Sequence, residues 1–172
     1  MRNANELMVQ YAAYHRDKRN IVTHFIGIQM IVFSSGVLIA RPAFEVAGVV
    51  LMPVWIIWVL ATIWYLTLGN PVLGIAVSVV NGVLIYLAWP LAGGSVASWL
   101  GWGIGTFVAG WVIQFIGHYY EGKKPAFVDD ILGLLTGPMF VTAEALFALG
   151  WGKPLLAEIE QRVGPTKIRQ TG

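Results

Sequence analysis

Apolar residues run in long blocks through this chain, and the breaks between blocks fall at proline, glycine and charge. The first block runs from about Ile21 to Ala40 and is closed by Arg41-Pro42, and the second runs from about Val46 to Leu68 with Pro53 inside it. After the Gly69-Asn70-Pro71 turn a third runs from Val72 to about Trp89, followed by Pro90 and the small-residue loop LAGGS; a fourth runs from about Val96 to His118. Each is close to the roughly 20 residues that an α-helix needs to cross the hydrocarbon core, so the pattern predicts four transmembrane helices, the second kinked at Pro53. Ser78 and Asn81 fall at mid-depth of the third. Ala97, Gly101, Gly105 and Ala109 repeat every four residues in the fourth, a stripe that predicts close approach by another helix and a central place in the bundle.

The flanks read differently. Residues 1–20 are polar, but Leu7, Met8, Tyr11 and His15 recur at helical spacing, which predicts a short helix at the membrane interface with His15 on its protein-facing side. No small-residue cleavage site follows, so these residues are expected to be retained and not removed as a signal peptide. Residues 131–150 are apolar but interrupted by Gly133, Gly137 and Pro138 and carry Glu144, which predicts a broken, re-entrant or partly inserted hairpin against the bundle. Leu155, Leu156, Ile159 and Val163 oppose a Glu158–Arg162 pair, the signature of a second short surface helix.

Composition agrees with a single all-α, polytopic membrane domain over 1–172. Hydrophobic residues make up 57% and charged residues 12% of the chain, with a mean hydropathy of +0.69, where about 25% charged is usual in soluble domains. The absence of cysteine excludes disulfides, thiolate metal sites and a cysteine nucleophile. Arg2, Arg16, Lys18 and Arg19 precede the first block and Lys123 and Lys124 follow the fourth, whereas only Arg41 lies in an odd-numbered loop. The positive-inside rule then puts the amino terminus in the cytosol, and with it the membrane face that carries His15, His24 and His118. A bacterial inner membrane suits so compact a chain better than the endoplasmic reticulum. Nothing suggests a nucleic-acid partner, and a homo-oligomer is compatible with the sequence.

Those are all three histidines of the chain. At about 100° per residue Gln114, His118 and Glu121 share one helix face, so imidazole and carboxylate can point at one place. His15 and His24 are nine residues apart, opposite each other on a continuous helix; they can serve one site only if the chain bends, and the charged HRDKRN stretch is where it would. The expected metal ligands are His15, His24, His118 and Glu121. Imidazole with carboxylate suits non-haem Fe(II) with positions open for oxygen, and a three-histidine zinc site that activates water is the competing chemistry. Asp17, Gln114 and Glu144 are expected to orient ligands from behind, Glu144 more as the partner of a cationic or hydroxyl group. Arg16, Arg19, Lys123 and Lys124 either set topology alone or, with Asn20, are the groups placed to hold an anionic headgroup or a substrate carboxylate. There is no phosphate-binding glycine motif and no serine elbow, and several of the eight tryptophans mark the membrane interfaces.

Three separated segments, YHRDKRNIVTHFIG, QFIGHYYEGKKPAF and PMFVTAEALFALG, resemble in order the signature of the small Mpo-like membrane family. Its characterised fungal member is a 2-hydroxy fatty acid dioxygenase of the endoplasmic reticulum acting in phytosphingosine breakdown. The resemblance implies Fe(II)-dependent α-oxidation: a 2-hydroxy fatty acid and O2 give the acid one carbon shorter, CO2 and water. That change removes four electrons, which one O2 accepts, so no reductase or 2-oxo acid is implied. By position, His15, His24 and His118 match the family's histidines and Glu121 and Glu144 its acidic positions, and the acyl tail would run between apolar helices. A haem or lipid carrier, a metal permease and a zinc hydrolase remain the alternatives.

Overall fold

The computed structural model describes residues 2–170. Helix α1, Ala4–Ala12, starts in a capping box: Asn3 Oδ1 accepts from the Glu6 N–H and the Glu6 carboxylate accepts from the Asn3 N–H. Leu7, Met8 and Tyr11 are buried against Met139, Phe140, Leu155 and Ile159, so the apolar stripe faces protein. The helix stops at Ala12, leaving His15 in the link 13–17 and not on the helix as the spacing predicted. Asp17 then caps α2, Lys18–Ala40, accepting from the Arg19 N–H, and so makes the bend the two histidines need.

Among the described residues three helices are long and apolar enough to cross a membrane: α2 with 23 residues, α4 (Pro71–Ala92) with 22 and α5 (Val96–Glu121) with 26. Pro90 lies inside the last turn of α4 and does not end it.

The expected second span, 46–68, is realised differently. Phe44–Val46 (β1) and Val49–Leu51 (β2) form an antiparallel hairpin, and only Pro53–Thr67 is helical (α3). Proline cannot donate, and its ring would clash with the carbonyl four residues upstream, so Pro53 opens the helix at its first position in place of kinking it. The β-branched Val46, Val49 and Val50 upstream are better strand than helix formers. Ala47 and Gly48, at φ of 52° and 80°, make the two-residue turn between them. At 15 residues α3 is about 22 Å long, short of the roughly 30 Å hydrocarbon core.

Residues 131–150 are likewise not broken internally. Gly133–Ala148 is one helix, α6, with Pro138 in it, and the break lies after it, where α7 (Lys153–Val163) turns away by 114°.

The hub of the bundle is α2, which lies against α3, α4, α5 and α6. Its seam with α5 uses a glycine set other than the four-residue stripe. A Cβ on Gly110 would stand 2.8 Å from the Gly27 carbonyl oxygen, one on Gly103 would strike Leu38, and one on Gly117 would strike Thr23 and Asn20. A Cβ on Gly101 or Gly105 would meet nothing within 4 Å outside its own helix turn among the described residues. The working repeat is therefore seven residues, the period at which two nearly parallel helices keep one seam in contact. The four-residue stripe points outward.

Candidate metal centre

The antiparallel α2–α5 seam brings the first turns of one helix to the last turns of the other, and with them the imidazoles. His24 sits two turns into α2. His118 lies just before the Gly122 cap of α5, which adopts φ 66° and returns its N–H to the His118 carbonyl. His15 arrives from the link. One ring nitrogen from each lies within 4.8 Å of the others, the three rings are 0%, 0% and 6% exposed, and their centroids are 4.4 to 5.0 Å apart.

Hydrogen bonding sets their chemistry. His15 Nδ1 lies 2.7 Å from the Tyr11 carbonyl and His24 Nδ1 2.9 Å from the Asn20 carbonyl. A carbonyl only accepts, so both Nδ1 atoms carry the proton and both Nε2 atoms present lone pairs. Those two Nε2 atoms are 3.0 Å apart. Two lone pairs facing each other at that separation repel unless a cation lies between them, and cis ligands bound at about 2.1 Å stand about 3.0 Å apart. His118 Nδ1 is buried with no hydrogen-bond partner among the described residues. Burial and the neighbouring His24 ring also hold His15 well below the ordinary histidine range, in the neutral form that binds metals. The cluster fits a divalent transition metal.

Glu121 differs from expectation. No carboxylate joins the cluster among the described residues. The Glu121 carboxylate accepts from the backbone N–H groups of Arg16 and Asp17, with Oε2 at 2.9 and 2.7 Å, and from Asn20 Nδ2 at 3.1 Å. It pins the link that carries His15 onto the end of α5.

The cations expected to hold a substrate are also engaged. Arg16, 5% exposed, donates to the Ala12, His15 and Gly164 carbonyls and stands 3.5 Å from Glu144, which gives that part-buried carboxylate a cationic partner. Arg19 grips Asp17 at 2.8 Å and holds its carboxyl well below the usual carboxylate range. Lys123 donates to the Ala13 carbonyl and Lys124 to Asp129. Each of these groups shapes the link or its surroundings. Gln114 instead walls a cavity of about 60 Å³ beside His118, together with Tyr11.

Two contributors escaped the sequence reading. The Tyr11 ring stacks on His15 at 4.1 Å and 4°, whereas its spacing of four from His15 predicts only an interfacial stripe. The other is the tail beyond α7. Lys167 exchanges backbone hydrogen bonds with Arg16 and Lys18, the Arg169 N–H donates to Asp17 at 2.7 Å, and its guanidinium donates to the Glu121 carbonyl. No periodicity or motif marks these residues.

Residues 1–149 match the family model described as 2-hydroxy-palmitic acid dioxygenase Mpo1-like. The chain belongs to the Mpo1-like family. One curated member, the 2-hydroxy-palmitic acid dioxygenase MPO1 of Saccharomyces cerevisiae (strain ATCC 204508 / S288c), is 30% identical over 152 residues, which cover 87% of this chain and 83% of the yeast protein. No solved structure matches the chain. All three histidines lie within the Mpo1-like match; the clamp made by Lys167 and Arg169 lies beyond it.

Proposed function

We propose that this chain is a membrane-embedded dioxygenase that converts a 2-hydroxy fatty acid to the acid one carbon shorter with release of CO2, using Fe(II) held by His15, His24 and His118. The observation that carries the reading is the facing pair of Nε2 lone pairs at 3.0 Å beside a third buried imidazole, in a chain of the Mpo1-like family. Bound iron would supply positions for O2 and for the carboxylate and hydroxyl oxygens of the acid.

The protein's own groups do the rest. The Tyr11 and Asn20 carbonyls fix the tautomers of two ligands, and Tyr11 stacks against His15 to hold its plane. Glu121 fastens the link without entering the cluster. The Gln114 amide and the Tyr11 phenol are the polar groups of the cavity at His118, placed to orient the head of the acid, and its small volume excludes bulk water. The excess of Lys and Arg at this end of the bundle argues for a cytosolic face.

The test is aerobic incubation of metal-stripped protein with 2-hydroxypalmitate. Restoring Fe(II) should yield pentadecanoic acid and CO2 in equal amounts; no product after iron is bound would refute the reading for that substrate class. Because no carboxylate among the described residues joins the imidazoles, a three-histidine zinc hydrolase is the second reading. It requires zinc in the purified protein and turnover without O2.

A further inference from the structure

Two openings line up on one side of α2. The first is the cavity of about 60 Å³ walled by His118, Gln114 and Tyr11. The second, about 350 Å³, lies deeper among α2, α3, α4, α5 and α6 and ends at Ile39, Val54 and Ile85. They share Ile31, Val32, Trp111, Leu134 and Pro138 as walls, so they adjoin, and taken together they trace a path from the histidines along α2. His118, Gln114 and Tyr11 stand at the histidine end, and the deep part is lined mainly by aliphatic and aromatic groups, with Ser35, Tyr65 and Asn81 among them.

We propose that this path is the subsite for the acyl tail, and that its far end at Ile39, Val54 and Ile85 sets the preferred chain length. The proposal rests on the function given above and names the substrate more closely. The occupant is an amphiphile with one polar head and one unbranched tail, because the path offers polar partners at one end and a single apolar lane beyond. Length supports it. From His24 to Ile39 is fifteen residues of α2, about 22 Å. An extended chain advances about 1.2 Å per bond, so a palmitoyl tail needs about 18 Å from the metal centre. The distance along the path matches such a chain. Loss of burial for tail atoms weakens binding in proportion to the methylenes exposed, so filling the lane part-way selects against long acids more than short ones.

Ala61 and Ser35 line the deep part with small side chains. In Ala61→Phe, and separately in Ser35→Leu, the ratio of kcat/KM for 2-hydroxypalmitate to that for 2-hydroxyoctanoate should fall at least about tenfold, the effect of losing two or three buried methylenes. Leu87→Phe, on the exposed face of α4, should leave the wild-type ratio. Wild-type protein in nanodiscs, photolabelled with a 2-hydroxy acid carrying a terminal diazirine, should be labelled near Ile39, Val54 and Ile85. Label scattered over lipid-facing helix surfaces, or an unmoved ratio in a folded variant, overturns the subsite. The labelling needs neither turnover nor a variant. Label in the path without turnover supports the subsite and counts against the dioxygenase; turnover with scattered label does the reverse.

Discussion

The two ends of the bundle are built on opposite terms. At the histidine end, residues 11–20, 114–122 and 164–169 bury Arg16, Asp17, Asn20 and Glu121 along with the imidazoles, and bind nearly every one of them to backbone or to an opposite charge. At the other end the β1–β2 hairpin exposes Phe44, Val46, Val49 and Val50, Val50 by 61%, and polar contact among the described residues there is largely Arg41 donating to the Gly94 carbonyl and lying over Trp99. Buried polar groups are expensive unless they are paired, so a network of this density persists where geometry must be held. The hairpin end carries no such demand and leans mainly on apolar contact. Damage to the first end should reach both chemistry and stability, and damage to the second should reach stability only, and weakly.

The sharpest contrast comes from the imidazoles. His24→Ala or His118→Ala should abolish stoichiometric iron binding, read by elemental analysis, and lower activity about a thousandfold or more, since ligands act as a unit. Retention of full metal content in either variant would break the comparison at its root.

Next is Glu121. Replacing it by alanine leaves the Arg16 and Asp17 N–H groups and Asn20 Nδ2 buried without their acceptor, at roughly 1–3 kcal/mol for each donor that water cannot reach. A loss of several kcal/mol in denaturant or thermal melts is expected, with iron affinity down about 10- to 100-fold because the His15 link comes loose. Glu121→Gln keeps one oxygen acceptor and should fall between.

A smaller effect is expected for Arg169→Ala, which removes the guanidinium that donates to the Glu121 carbonyl but keeps the backbone hydrogen bond to Asp17. One hydrogen bond on a half-exposed tail contributes about 1 kcal/mol. Iron affinity should drop by less than in Glu121→Ala, and the melting temperature by a few degrees. Equal effects of the two variants would mean that the tail, and not α5, holds the link.

How much of this was legible depended on what sort of contact was at issue. The apolar blocks gave α2, α4 and α5, because a period and a length are local properties of sequence. The bend between His15 and His24 followed from their nine-residue spacing, and the common face of Gln114, His118 and Glu121 from helical geometry. Pro53 differs from expectation because hydropathy alone does not separate a kinked helix from a hairpin followed by a helix; the β-branched run Val49-Val50 ahead of the proline carries that information. The glycine seam differs from expectation because four- and seven-residue spacings coexist in α5, and only the path of α2 selects between them. What Glu121 binds was not legible at all. Its partners are backbone N–H groups about a hundred positions away, and a backbone amide is the same in every residue but proline.

The smallest effect tests the other side of the comparison. Ala47 occupies φ 52° in the turn of the β1–β2 hairpin, a left-handed conformation that costs an L-residue about 1–2 kcal/mol. Ala47→Gly removes that cost but adds chain entropy to the unfolded state, about 0.4–1 kcal/mol in the opposite direction. The net gain should be a few tenths of a kcal/mol to about 1 kcal/mol, visible as a slightly higher melting temperature. Iron content and kcat/KM should match the wild type, since the turn lies at the opposite end of α2 from the imidazoles. A change in iron affinity in this variant would mean that strain passes along α2 from the hairpin to His24, and that the two ends are coupled after all.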